Sequence, residues 1–261
     1  MNGPTPLLDF FKRGEVARDV RLLAAQGALA PRAHEQLAIL VLLVDDPDPA
    51  ISQTADHTLR RIPEGALRTF LARSDVSISL REFFGDRGVF PDEIPPIVLP
   101  EEEDQLLIDT WAMDDAVEDE DADRTSVIQQ LADMNFTQRL KAALKGSREM
   151  RAILIRDTNK MISAAVLSSA RVTPQEVESY ARMANVSEDI LRIIGNTRAW
   201  IKNYGVALAL TKNPKTPVAM SMSLMPRLHD RDLQMLSVDR NVPDPLRVAA
   251  RRRVVASTSR K

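Results

Sequence analysis

Four times between residues 170 and 243 the chain interrupts itself in a similar way. Ala170-Arg171-Val172-Thr173-Pro174, Ala184-Asn185-Val186-Ser187, Asn213-Pro214-Lys215-Thr216-Pro217 and Arg240-Asn241-Val242-Pro243 each set a small apolar or β-branched residue in a polar turn, next to a capping residue or a proline. Each break therefore ends one helix and starts another. Thr173 and Glu176 stand in capping-box relation, which fixes the register of one restart. No stretch shows the period-two alternation of a half-buried strand, and only 9 glycines and 4% aromatic residues leave the composition on the helical side. A chain so punctuated is confined to short helices that must pack on one another to bury a face. The pattern predicts an all-α fold of short antiparallel helices, stacked as an irregular, solenoid-like helical-repeat array. Val172, Val186, Thr216 and Val242 follow one another at 14, 30 and 26 residues, so the array is not a regular one.

The first 90 residues carry the same logic in different words. Thr5-Pro6 opens a helix that Gly14 closes, and Val16, Val20 and Leu23 recur on one helical face up to Gly27. Pro31 opens the helix that contains Leu37–Val44, the longest unbroken apolar run. Those eight residues are far short of the roughly 20 that a membrane span requires and suit a core helix. Asp48-Pro49 caps the next helix, with Ile51, Ala55 and Leu59 on one side, and Ile62-Pro63 ends it. A short helix from Gly65 to Leu71 follows, and then one capped by Ser77 that ends near Gly85.

Charge divides the chain further. Residues 1–100 sum to −3, residues 101–124 to −11 and residues 125–261 to +12. Four prolines between 91 and 100, followed by a self-repelling acidic run, read as a linker over 91–124 between an N-terminal block, 1–90, and a basic C-terminal block, 125–261. Inside the linker lies an apolar island whose Leu107, Ile108, Trp111 and Met113 suit a short docking helix. Opposite charge also leads us to expect the acidic segment to contact the basic block at low salt.

The turns Thr211–Pro217 and Asp239–Pro243, each followed by a helix, resemble units of the leucine-rich repeat variant family, and Asp45-Asp46-Pro47-Asp48-Pro49-Ala50-Ile51 resembles the turn of a HEAT-type repeat. These resemblances span about two thirds of the chain and imply α-helical repeats that hold other macromolecules. A cysteine-free chain cannot ligate the iron–sulfur cluster found in one member of the variant family.

The absence of cysteine also removes disulfides, thiolate metal sites and cysteine nucleophiles, and suits a reducing cytoplasm. Met1-Asn2-Gly3-Pro4-Thr5-Pro6 lacks the basic start of a secretory signal. His34, His57 and His229 have no metal-ligand spacing, and no phosphate loop or nucleophile elbow occurs, so no catalytic residue, metal or cofactor is predicted. Asp230, beside His229, reads as a helix cap. The leading functional reading is a non-enzymatic scaffold or adaptor that binds another protein. The alternative is nucleic-acid binding by the basic block, through Lys202, Lys212, Lys215, Arg247, Arg251, Arg252 and Arg253. A remote third reading is by analogy with helical-repeat DNA glycosylases, which set an acid and tryptophans on a basic concave face. Trp200 beside Lys202, Lys212 and Lys215 would supply that surface, whereas core packing of Trp200 is the plainer expectation. No residue pattern specifies an oligomeric state.

Overall fold

The computed structural model describes residues 6–30, 32–92, 107 and 124–258. Helices are the only regular elements among them, as the all-α reading requires. No described helix is long and apolar enough to cross a membrane.

Two units make up the chain. The first holds residues 2–147 and 168–170, the second residues 148–167 and 171–261. In the first, α1 (Pro6–Lys12), α2 (Arg18–Ala25), α3 (Ala33–Val44) and α4 (Pro49–Arg60) pack together, followed by α5 (Glu64–Leu71) and α6 (Ile78–Gly85). Their ends follow the local chemistry. Asp48 is the N-cap of α4, its carboxylate accepting Ala50 N–H at 2.9 Å, and Ser77 caps α6 through Leu80 N–H. Gly14 and Gly27 take positive φ, 69° and 86°, which side-chain-bearing residues rarely adopt. Most of the apolar run faces inward, as expected for α3: Leu37, Ile39, Leu40 and Leu43 are buried, and so are Ile51, Ala55 and Leu59 of α4.

Two boundaries differ from those read in the sequence. The ordered first block runs past residue 90, because Asp92 accepts from Arg68 Nε at 3.1 Å and Thr69 Oγ1 at 3.0 Å and donates its own N–H to Arg68 O. The unit then resumes with α7 (Arg124–Asp133) and α8 (Phe136–Lys145), so the division falls at residue 147 and not at 124. Charge alone assigns these helices to the basic block, but charge tracks solvated surface and carries no information about which unit a helix packs with. Leu140, Ala142, Ala143 and Leu144 of α8 are buried, and Ser169 Oγ donates to Leu144 O at 2.6 Å. The remaining linker residues, 93–106 and 108–123, lie outside the described residues.

The second unit contains α9 (Arg148–Leu154), α10 (Lys160–Ser168, whose last residue counts with the first unit), α11 (Pro174–Arg182), α12 (Glu188–Asn196) and α13 (Arg198–Ile201). It continues with α14 (Tyr204–Lys212), α15 (Val218–Leu224), a 3-10 turn at Met225–Arg227, α16 (Asp230–Val238) and α17 (Asp244–Thr258). Thr173 and Glu176 form the expected capping box at α11. Asp230 is not a cap: His229 holds that position and Asp230 is the first residue of α16, where a carboxylate still favours the positive end of the helix.

The β-branched residue of each predicted break is an anchor. Val172, Val186, Thr216 and Val242 are all buried, and the last three donate their N–H to the carbonyl three residues earlier. Thr216 is the odd member, because its buried hydroxyl has no hydrogen-bond partner among the described residues. Burying an unpaired hydroxyl costs about 1–3 kcal/mol. Thr216→Val keeps the shape, matches the residue used in the other three turns, and is expected to raise stability by about 1 kcal/mol. Urea unfolding of the two proteins checks this, and an unchanged or lower midpoint would contradict it.

Candidate binding groove at the helix ends of the second unit

Three of these turns come together. Helices α11 and α14 pack on each other, and α11, α14 and α16 all end at one surface pocket of about 680 Å³. Arg182 and Ala184 line it from the end of α11, Lys212, Asn213 and Pro214 from the end of α14, and Asp239 and Asn241 from the end of α16. Its remaining wall is Gly205, Leu208 and Ala209. With Lys212 these occupy positions i, i+3, i+4 and i+7 of α14, a single stripe on one helical face. The pocket is therefore a groove along α14, small and apolar on its floor and polar at its rim.

Side-chain hydrogen bonds hold it open. Asn213 is buried, and its Nδ2 donates to Ala181 O at 2.8 Å and to Met183 O at 3.1 Å, while its Oδ1 accepts Lys215 N–H at 3.0 Å. One amide thus fastens the end of α14 to the end of α11 and shapes its own turn. At Gly205 the chain comes close to the Glu178 carboxylate, and a methyl group there would make that carboxylate swing aside. Glu178 lies on α11 one turn before Arg182, and the two form an ion pair. Asp239 accepts Asn241 N–H at 2.9 Å through Oδ1. Lys212 is half-buried and has no ion-pair partner among the described residues.

Behind the groove, Tyr204 and Leu208 pack on a core of Met225, Leu228, Leu233, Leu236, Val242, Leu246 and Ala250. The Tyr204 hydroxyl donates to Asp232 and accepts His229 N–H at 3.2 Å, and its ring stacks on His229 at 4.4 Å. Burial, and then the Asp232 carboxylate, raise its pKa above the ordinary tyrosine value. With its hydroxyl satisfied on both sides, Tyr204 serves as a fixed post for the first turn of α14. Among the described residues no group of three His, Asp or Glu is placed to hold a metal ion.

Of the basic residues singled out in the sequence, only Lys212 lines the groove. Lys202 and Lys215 are exposed elsewhere, on the residue after α13 and in the 213–217 turn. Arg247 pairs with Asp244 and Arg251 Nε donates to Ser237 O at 3.2 Å, both on α17, where Arg252 and Arg253 are exposed. They form no single cluster around Trp200, which is buried within the unit. The surface tryptophan that the glycosylase analogy needs is therefore missing at this position.

Of the apolar island, Leu107 is described: it is half-buried, and its N–H donates to Gln36 Oε1 of α3 at 3.1 Å. Ile108, Trp111 and Met113 lie outside the described residues. Sequence reasoning marks Asp239 and Asn241 only as turn residues and gives no role to Arg182, Gly205, Leu208 or Ala209. The breaks at 184, 213 and 241 mark helix ends in the sequence, and nothing local says that three ends meet. A signal did exist in the small-and-apolar stripe at 205, 208 and 209. Comparison with known proteins returned no family model, no curated protein and no solved structure that matches the chain.

Proposed function

We propose that the chain is a non-enzymatic interaction protein, built from helical-repeat-like units, whose second unit holds a segment of a partner protein in the groove along α14. The observation that carries this reading is the convergence of three interhelical turns on one open groove with an apolar floor and a polar rim. That is the usual anatomy of a recognition site, in which apolar contacts supply area and a few polar groups fix orientation. The groups present are a guanidinium, an ammonium and amides, and Asp239 is already engaged by Asn241 N–H. The cysteine-free sequence fits a cytoplasmic setting for this role.

The test is a selection of peptides from a random displayed library against the full chain, with Ala184→Trp as the counter-screen. Ala184 is exposed at the rim, so a tryptophan there fills the groove without disturbing the core. Selected peptides are expected to lose at least about tenfold in affinity for the variant. Peptides that bind both proteins equally would remove the groove from consideration.

Nucleic-acid binding is the second reading, favoured by the three consecutive exposed arginines Arg251, Arg252 and Arg253 on α17. It requires binding to random-sequence DNA that weakens steeply and log-linearly with salt. Binding that is absent at low salt, or insensitive to salt, would eliminate it.

A further inference from the structure

Building on the groove reading, we propose that the occupant is a short acidic and apolar peptide segment of another chain. One carboxylate of that segment pairs with Lys212 and a neighbouring apolar side chain lies on Leu208 and Ala209. The charges of the lining decide the class. Arg182 already pairs with Glu178, and Asp239 already accepts from Asn241. Lys212 is the lining cation without an ion-pair partner among the described residues, and it closes one end of the apolar stripe on α14. A half-buried ammonium beside an apolar floor favours a carboxylate over water, because a charge-assisted hydrogen bond there is screened less than on open surface.

The dimensions and remaining charges narrow this further. From Gly205 to Lys212 the stripe rises about 10 Å, at roughly 1.5 Å per residue. An extended chain covers that distance in about three residues. Asp239 on the opposing turn disfavours a run of acids, so the fit is to one carboxylate next to apolar side chains and not to a polyacid. The second unit, whose residues 148–167 and 171–261 carry an excess of 10 positive charges, would draw such a segment in from solution.

A suitable probe is a synthetic peptide with the sequence of residues 105–113, which carries the single acid Asp109 among apolar residues. Its binding to the full chain is measured by titration, and its location by amide hydrogen exchange over 205–212. Binding is expected to protect α14, to weaken with salt, and to fall about tenfold or more with Lys212→Glu or with an Asp109→Asn peptide. Lys212→Gln serves as a second variant should the charge reversal disturb folding, with helical content checked by circular dichroism. Equal binding of the Asp and Asn peptides, still blocked by Ala184→Trp, would overturn the acidic class and leave the groove standing. Binding of both peptides that ignores Ala184→Trp and Lys212→Glu would overturn the groove itself.

Discussion

Arg151→Met is expected to destabilise the second unit by about 3–5 kcal/mol, the range for orphaning one partner of a buried ion pair. Arg151 of α9 and Glu176 of α11 are both almost fully buried, at 6% and 3% side-chain exposure, and the guanidinium reaches Oε1 through Nε at 3.1 Å and Nη2 at 2.8 Å. Tyr180 donates its hydroxyl to the same oxygen at 3.3 Å, while Thr173 N–H and Oγ1–H hold Oε2 at 2.9 and 3.1 Å. The carboxylate is thus the node where α9 meets the first turn of α11. Methionine fills much of the arginine's volume, so the loss measured is mainly electrostatic.

The same network gives the variant a pH signature. Burial alone would raise the Glu176 pKa, but the Thr173 N–H and Arg151 outweigh it and hold the carboxyl below the ordinary glutamate value. A folded-state pKa below the unfolded one adds stability that is fully present above the unfolded value and lost as pH falls through the folded value. Without Arg151 that depression shrinks or reverses, since burial then has less to oppose it. The gap in stability between Arg151→Met and the parent is therefore expected to be widest near neutral pH and to narrow through the acid range. Urea unfolding at pH 7 and at pH 4 measures it. A loss below 1 kcal/mol at pH 7, or a gap that grows on acidification, would contradict this account.

How much of this was legible in the sequence depends on how local the cause is. Helix ends were legible because capping is decided within four residues: Asp48, Ser77 and the Thr173–Glu176 box act as their spacing says. The anchors Val172, Val186, Thr216 and Val242 were legible because a β-branched residue inside a polar turn has few reasons to be there other than burial. Unit membership was not legible. The charge split at 124 describes charged side chains, whereas α7 and α8 count with the first unit, and the buried Leu140 and Ala143 of α8 carry no charge to mark that. The Glu176 carboxylate shows both limits at once. Its bond to Thr173 follows from the sequence, but its pairing with Arg151, 25 residues away, depends on how α9 and α11 cross. The groove is the same kind of object, assembled from three turns whose separation in sequence carries no mark of their meeting.

Asn213→Ala is the second large effect, expected at about 2–4 kcal/mol, because it leaves the buried Ala181 carbonyl without its donor, takes one of two donors from the half-buried Met183 carbonyl and removes the acceptor of a turn N–H. The carbonyls belong to Ala181 and Met183 at the end of α11, and the N–H to Lys215. The Ala181 carbonyl lies in the last turn of α11, where the helix ladder supplies no N–H, whereas the Met183 carbonyl keeps Val186 N–H as a second donor at 3.5 Å. Asn213→Asp separates the two jobs: it keeps an acceptor for Lys215 N–H but sets a carboxylate against two carbonyl oxygens. It is therefore expected to be no more stable than alanine near neutral pH. Lys215→Ala is the control and should fall within about 0.5 kcal/mol of the parent, as an exposed side chain whose backbone makes the contact. Because Asn213 fastens the two helix ends that supply Arg182, Ala184 and Lys212, its loss should speed amide exchange in the 183–187 and 213–217 turns before it affects α9. Uniform acceleration across the unit would mean that Asn213 supports the whole core, and a loss under 0.5 kcal/mol would mean that the two turns hold their positions without it.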